Sequence, residues 1–118
     1  MKIYRSENRN VYLSLLNLSD DVELKELKAN TTDAATEKHV PVVEIKGNEV
    51  LVKVGSVAHP MLEEHWITFI AIETNKGISL VNLKAGELPE AKFVLREDEK
   101  AKAVYEYCNL HGLWKVEL

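Results

Sequence analysis

The chain has one cysteine, Cys108, among 118 residues. That excludes an intrachain disulfide, and it fits a reducing, cytoplasmic setting. No export signal is legible. The apolar stretch 11–18 is short, is broken by Ser14 and Asn17, and has no small-residue cleavage site after it. No apolar run approaches the ~20 residues of a membrane-spanning helix; residues 69–72 are among the longest. An excess of cations is missing too. Fifteen Lys+Arg against nineteen Asp+Glu leave a net charge of -4, which argues against nucleic acid or an anionic membrane as partner. Repeats and low-complexity tracts are absent. What is present suits a globular domain: 46% apolar and 29% charged residues argue against disorder. A chain of this length buries roughly two-thirds of its unfolded surface, so it needs no cross-link to fold.

The first thirty residues read differently from the rest. They hold one strand-like run (10–18), a turn signal at Ser19-Asp20-Asp21 and a charged stretch (22–28). We expect a small N-terminal element, 1–30, joined through Asn30 and Thr32 to a second unit, 31–118. The second unit reads as β-structure. Val50, Val52 and Val54 alternate with Leu51 and Lys53 behind a Gly47-Asn48 turn. Residues 65–72 are rich in β-branched and aromatic side chains, Asn75-Lys76-Gly77 turns into 78–83, and Lys84-Ala85-Gly86 turns again before 91–96. Residues 97–107 have a helix-like composition. Yet Ala101, Ala103, Tyr105 and Tyr107 recur at period two, with Lys100, Lys102 and Glu106 opposite, and this favours a strand with a polar outer side. Short strands separated by turns predict an all-β fold, an antiparallel sandwich.

The histidines are unevenly placed. All four, His39, His59, His65 and His111, lie in three short motifs: Glu37-Lys38-His39-Val40-Pro41, His59-Pro60-Met61-Leu62-Glu63-Glu64-His65 and Cys108-Asn109-Leu110-His111-Gly112. A lone histidine is usually a surface or hydrogen-bonded core residue, and a lone cysteine a small buried apolar one. Cys108-x-x-His111 is a stronger signal, because a tight turn aims both side chains at one point. Pro60 biases His59 toward an extended backbone. Five nitrogen and sulfur donors in turn-flanked motifs read best as one shared metal site.

Structural zinc takes four ligands in a tetrahedron, which would leave one histidine spare. A blue-copper site takes two His, one Cys and a weak axial group, often Met. The Cys108-x-x-His111 pair in a sandwich suits that class, but no Met follows His111 and two histidines would go unused. Five donors with a sixth position open suit a redox iron. A copper-binding, cupredoxin-like electron carrier and a redox-silent zinc module stand as alternatives.

The motifs resemble those of the superoxide reductases, the desulfoferrodoxin and neelaredoxin family. The matching residues are Glu37-Lys38-His39-Val40-Pro41; Val54-Gly55-Ser56-Val57-Ala58-His59-Pro60-Met61 running on to Glu64-His65-Trp66-Ile67; and Tyr107-Cys108-Asn109-Leu110-His111-Gly112-Leu113-Trp114-Lys115. The resemblance implies an immunoglobulin-like sandwich. It also implies one mononuclear iron bound equatorially by His39, His59, His65 and His111 and axially by Cys108. Longer family members carry an N-terminal desulforedoxin-like domain with a four-cysteine iron. No cysteine precedes Cys108 here, so residues 1–30 resemble the form that keeps this element without its metal.

The activity implied is one-electron reduction of superoxide to hydrogen peroxide, with two protons taken up. A rubredoxin-type electron donor and a homodimer are implied with it. Neutral imidazoles add no charge, and a bound thiol is ionised; its electron density directed at the metal favours electron transfer, by analogy with thiolate-ligated haem. In the family's pattern Glu37 is a sixth ligand of the ferric state. Lys38 would point away from His39 in an extended segment but could reach over the open face from a loop, attracting the anion. Backbone N–H groups of the Cys108–His111 turn are placed to donate to the sulfur. Trp66, Trp114 and Tyr107 read as core or site-wall residues.

Overall fold

The computed structural model describes residues 1–14 and 23–118. Three antiparallel sheets are stacked. The first joins β1 (Lys2–Ser6), β2 (Val11–Ser14) and β3 (Leu24–Glu26) in the order β2-β1-β3. A single helical turn, α1 (Thr36–His39), leads into β4 (Pro41–Lys46), β5 (Glu49–Val54) and β6 (Ile67–Thr74). The chain continues through β7 (Ile78–Asn82), β8 (Glu90–Val94), β9 (Ala101–Cys108) and β10 (Gly112–Glu117). One sandwich layer has the order β4-β5-β8 and the other β10-β9-β6-β7. This is the antiparallel sandwich expected from the alternation. No helix among the described residues is long and apolar enough to cross a membrane.

The sandwich core follows from period-two patterning. Val50, Val52 and Val54 of β5 and Phe93 of β8 meet Ile67, Ile70 and Ile72 of β6 and Val104 and Cys108 of β9. Each such aliphatic side chain adds on the order of 1.5–3 kcal/mol by leaving water. Ile67 and Ile70 reach the same core although three residues apart. The β6–β9 register shifts between Ile67 and Phe69, and an extra residue in one strand inverts the alternation beyond it.

The first sheet packs on the outside of the four-stranded layer. Ile3, Val11, Leu13 and Leu27 cover Phe69, Ala71, Ala103, Tyr105, Tyr107 and Leu113. This covering corrects two expectations. Residues 1–30 contain two strands, β1 and β3, that the sequence reading passed over; β4 and β10 were passed over as well. The polar outer side expected for β9 does not exist around Glu106, which is 0% exposed on the core face with Val104 and Cys108. Lys100, just before the strand, and Lys102 reach solvent, but Glu106 of the same row does not. The strand is covered on both faces, so its tyrosines and its glutamate are equally inside. Of the run expected at 10–18, residues 11–14 form β2. The rest of that run and the turn signal at 19–21 lie outside the described residues.

Candidate metal centre

Three loops at one end of the sandwich carry the five donors. The first is α1. The backbone at His39 is helical rather than extended, and its Nδ1 donates to the Ala35 carbonyl at 2.7 Å. Its carrier turn docks on residues 55–57 through the Glu37 carbonyl, which accepts from Val57 N–H (3.0 Å) and the Ser56 hydroxyl (3.2 Å). Gly55 is needed for that approach: a Cβ there would lie 2.5 Å from the Glu37 carbonyl oxygen, well inside contact distance.

The second loop brings His59 and His65. His59 Nδ1 donates to the Pro60 carbonyl at 2.7 Å. His65 closes a tight turn in which Leu62 and His65 exchange both backbone hydrogen bonds, at 2.9 and 3.1 Å. The third is the β9–β10 hairpin. Cys108 and Gly112 are paired, leaving a three-residue loop, and Gly112 supplies the left-handed φ of 78° that such a hairpin uses. Asn109 ties this loop to the second one. Its Oδ1 accepts from Trp66 N–H (2.9 Å) and its Nδ2 donates to the Glu64 carbonyl (2.9 Å).

The four imidazoles form a closed cycle. Ring centroids are 4.7 Å apart for His39–His59 and His59–His65, 5.0 Å for His65–His111 and 4.9 Å for His111–His39, each pair edge-on at 74–88°. Trp114 stacks on His39 at 4.9 Å and 25°, a site wall as expected. Cys108, fully buried, comes from the core side, its sulfur 3.8 Å from His111 Nδ1. The five donor atoms all lie within 4.8 Å of one another.

This arrangement fits a single cation. One ion holds nitrogen and sulfur donors at about 2.0–2.3 Å, so its ligands lie within about 4.6 Å of each other. With Nδ1 of His39 and His59 committed to carbonyls, the Nε2 lone pairs of both point inward, where they face each other at 3.2 Å. His65 Nε2 is buried without any hydrogen-bond partner, a costly state that a metal would relieve. Burial holds the His59 imidazole down to about 4 and lowers His39 and His65 as well, so these rings are uncharged donors at neutral pH. Burial pushes the Cys108 thiol up, opposed by N–H groups of His111 and Leu110 directed at the sulfur. Burial also drives the Glu106 carboxyl well up.

Glu37 and Lys38 are both exposed on α1. Lys38 is near enough that its charge disfavours protonation of His65, and Glu37 acts oppositely on His39. A helical turn, not an extended segment, carries Lys38. Sequence reasoning missed Gly55 and Ser56 as the seat of α1, and it left Asn109 without a sharp role. Their work is done across 19 and 43 residues of chain, so no local signal marked it.

An antiparallel sandwich with four imidazoles and one thiol converging at its end is the framework of a mononuclear metalloprotein. The cupredoxin-like alternative is not supported, because four rings rather than two surround the sulfur. The family model described as Desulfoferrodoxin matches residues 31–117. A desulfoferrodoxin of Nitratidesulfovibrio vulgaris is 50% identical over 95 residues, 80% of this chain and 73% of that one. A desulfoferrodoxin of Clostridium acetobutylicum is 39% identical over 124 residues, covering 100% of this chain and 97% of that one. The crystal structure of the superoxide reductase from Treponema pallidum superposes with a TM-score of 0.83 at 40% identity, covering 99% of this chain and 100% of that one. The chain belongs to the desulfoferrodoxin family.

Proposed function

We propose that this protein is a superoxide reductase that uses one mononuclear non-haem iron per chain to convert superoxide, one electron and two protons into hydrogen peroxide. The observation that carries this reading is the single cluster of four histidine nitrogens and one cysteine sulfur. His39, His59, His65, His111 and Cys108 hold the iron. Bound iron supplies the electron and an open position for a small anion.

The chain's own residues do the rest. Four uncharged imidazoles and one thiolate leave ferrous iron with a net positive charge, which suits an anionic substrate. Cys108 would be held as thiolate by bound iron against the burial that raises its thiol, helped by the N–H groups of Leu110 and His111, and the thiolate would direct electron density at the metal. Lys38 draws superoxide against the protein's net charge of -4 and stabilises negative charge as it develops. Glu37 would serve as a further ligand to oxidised iron, from its exposed place on α1. The core around Cys108 keeps water from the sulfur, and Trp114 walls the His39 side. A rubredoxin-type protein is the electron donor, the protein works in the cytoplasm, and two chains form a homodimer. Residues 1–30 are a desulforedoxin-like element without its metal, and residues 31–118 are the catalytic sandwich.

Metal analysis with a visible spectrum tests the reading. We expect one iron per chain, a thiolate-to-iron absorption in the oxidised protein that Cys108→Ser abolishes, and stoichiometric oxidation of the ferrous form by superoxide. Stoichiometric copper or zinc after growth without excess of either, or a band that survives in Cys108→Ser, would sink it.

A further inference from the structure

The N-terminal sheet supplies no donor to the cluster, yet one of its side chains reaches the metal loops. The turn between β1 and β2 is closed by Ser6 N–H to the Asn10 carbonyl and Arg9 N–H to the Ser6 carbonyl, both 3.0 Å. Arg9 sits in it at a φ of 65°, a left-handed conformation that Gly or Asn adopts at lower cost. The Arg9 guanidinium spans to the β9–β10 hairpin and donates to the Asn109 carbonyl oxygen at 3.1 Å, across 100 residues of sequence.

The acceptor matters. The Asn109 carbonyl and the Leu110 N–H belong to the same peptide group. On the far side of that group the Leu110 N–H, together with that of His111, is directed at the Cys108 sulfur. A cation on the oxygen draws electron density across the amide, and hydrogen bonds in series strengthen one another. The N–H facing the sulfur therefore becomes a better donor.

We propose that Arg9 is a positioning residue of the metal centre: its guanidinium holds and polarises the Asn109–Leu110 peptide, and so strengthens the N–H directed at the Cys108 sulfur. This rests on Cys108 being the iron ligand proposed above. It gives the N-terminal sheet a part in the chemistry beyond packing. A sulfur that accepts a stronger hydrogen bond donates less charge to the metal, which favours the ferrous state that reduces superoxide. The contact is exposed, so its effect is modest.

The sheet does not depend on Arg9 to stay docked. Asn30 N–H donates to the Leu113 carbonyl (3.0 Å), its Nδ2 to the Lys115 carbonyl (3.0 Å), and its Oδ1 accepts from Lys115 N–H (2.8 Å), with the Ile3 cluster beneath.

Arg9→Gly is the discriminating variant, because glycine suits the turn's backbone and removes only the side chain. In iron-loaded protein we expect its thiolate-to-ferric absorption to move to longer wavelength, since a less hydrogen-bonded sulfur is the easier donor. Arg9→Lys, which keeps a positive donor, should recover part of that shift. Hydrogen exchange across residues 108–112, read by mass spectrometry with and without iron, should be about two- to fivefold faster in Arg9→Gly, the range for losing one exposed hydrogen bond. A band position unchanged in Arg9→Gly overturns the proposal, whether or not exchange speeds up, and so does a shift that Arg9→Lys does not reduce. Failure of the underlying reading looks different: the parent protein itself would show no such band, while exchange in the metal-free chain would still report whether Arg9 holds the loop.

Discussion

The two ends of the sandwich are built with the same device and put to different uses. At one end Asn109 clamps two loops with both halves of its amide. At the other, Asn75 does the same, donating to the Asp98 carbonyl and accepting from Lys100 N–H. Around Asn75 the polar groups satisfy one another: the Thr74 hydroxyl donates to Glu99 at 2.6 Å, and Glu99 also accepts from Arg96 N–H at 3.0 Å. Around Asn109 they do not. His65 Nε2 has no partner, and two inward nitrogens face each other. A closed network stabilises a turn; a converging set of unsatisfied donors is a binding site. The difference marks the functional end without reference to any relative.

Removing an inward nitrogen should separate the two ends most sharply. His59→Ala should weaken iron binding at least about a hundredfold, as loss of a direct ligand exceeds the 10–100-fold typical of its supporting groups. Competition with a chelator measures it, and iron retained at parental affinity would exclude His59 from the ligand set.

Lys38→Ile comes next. Two unit charges at ~4 Å interact by ~4 kcal/mol at an effective dielectric of ~20, and by less when exposed. We expect a loss of ~1–2 kcal/mol, roughly five- to thirtyfold in the second-order reaction with superoxide, with iron content unchanged. The parental rate should also fall with salt more steeply than the variant's, given a Debye length of ~10 Å at 0.1 M. Pulse radiolysis at several ionic strengths reads both. Equal rates and equal salt slopes would make Lys38 an ordinary surface lysine.

The paired asparagines sharpen the comparison directly. Asn109→Ala and Asn75→Ala should each cost ~1–2 kcal/mol in denaturant unfolding, because each leaves loop amides without partners. Only Asn109→Ala should also alter the visible spectrum. If both variants, or neither, perturb the spectrum, the division between a structural and a functional end is wrong.

The smallest effect lies at the closed end and depends on pH. The Thr74 hydroxyl, then the Arg96 backbone N–H, hold the half-buried Glu99 carboxyl down to about 2, against an ordinary value of 4.5. Its folded value is the lower one, so the unfolded chain binds the proton more readily. The stability it contributes is fully present above pH 4.5 and is lost as pH falls toward 2. Glu99→Gln should therefore unfold at a slightly lower temperature at neutral pH and lose less on acidification. Melting curves at pH 7, 4 and 3 would show the two proteins converging; parallel curves would remove Glu99 from the acid response.

Much of this was legible in residue order, and the exceptions share a cause. The donors stood out because few side chains bind a soft or borderline metal and all five lay in turn-flanked motifs. The strand at β5 was equally plain, since Val50, Val52 and Val54 alternate with Leu51 and Lys53. Glu106 misled because it follows Lys100 and Lys102 in the same row, and alternation shows that a side chain lies on a face without showing what covers that face. β1 went unread because five residues ending in Arg5 and Ser6 carry little periodicity. Arg9, Gly55 and Ser56 gave no local signal, since each acts on a segment far along the chain.

The sequence by itself determined the donor set, the all-β class with several of its strands and turns, and the family. These depend on covalent identity and on contacts between near neighbours, and both are written in residue order. Tertiary structure alone decided that both faces of β9 are covered, that α1 seats against Gly55, that the four rings close into a cycle above one sulfur, and that Arg9 meets Asn109. Each of these is a meeting of segments from 18 to 100 residues apart, fixed by how three sheets stack, and stacking is a property of the whole buried surface rather than of any one stretch.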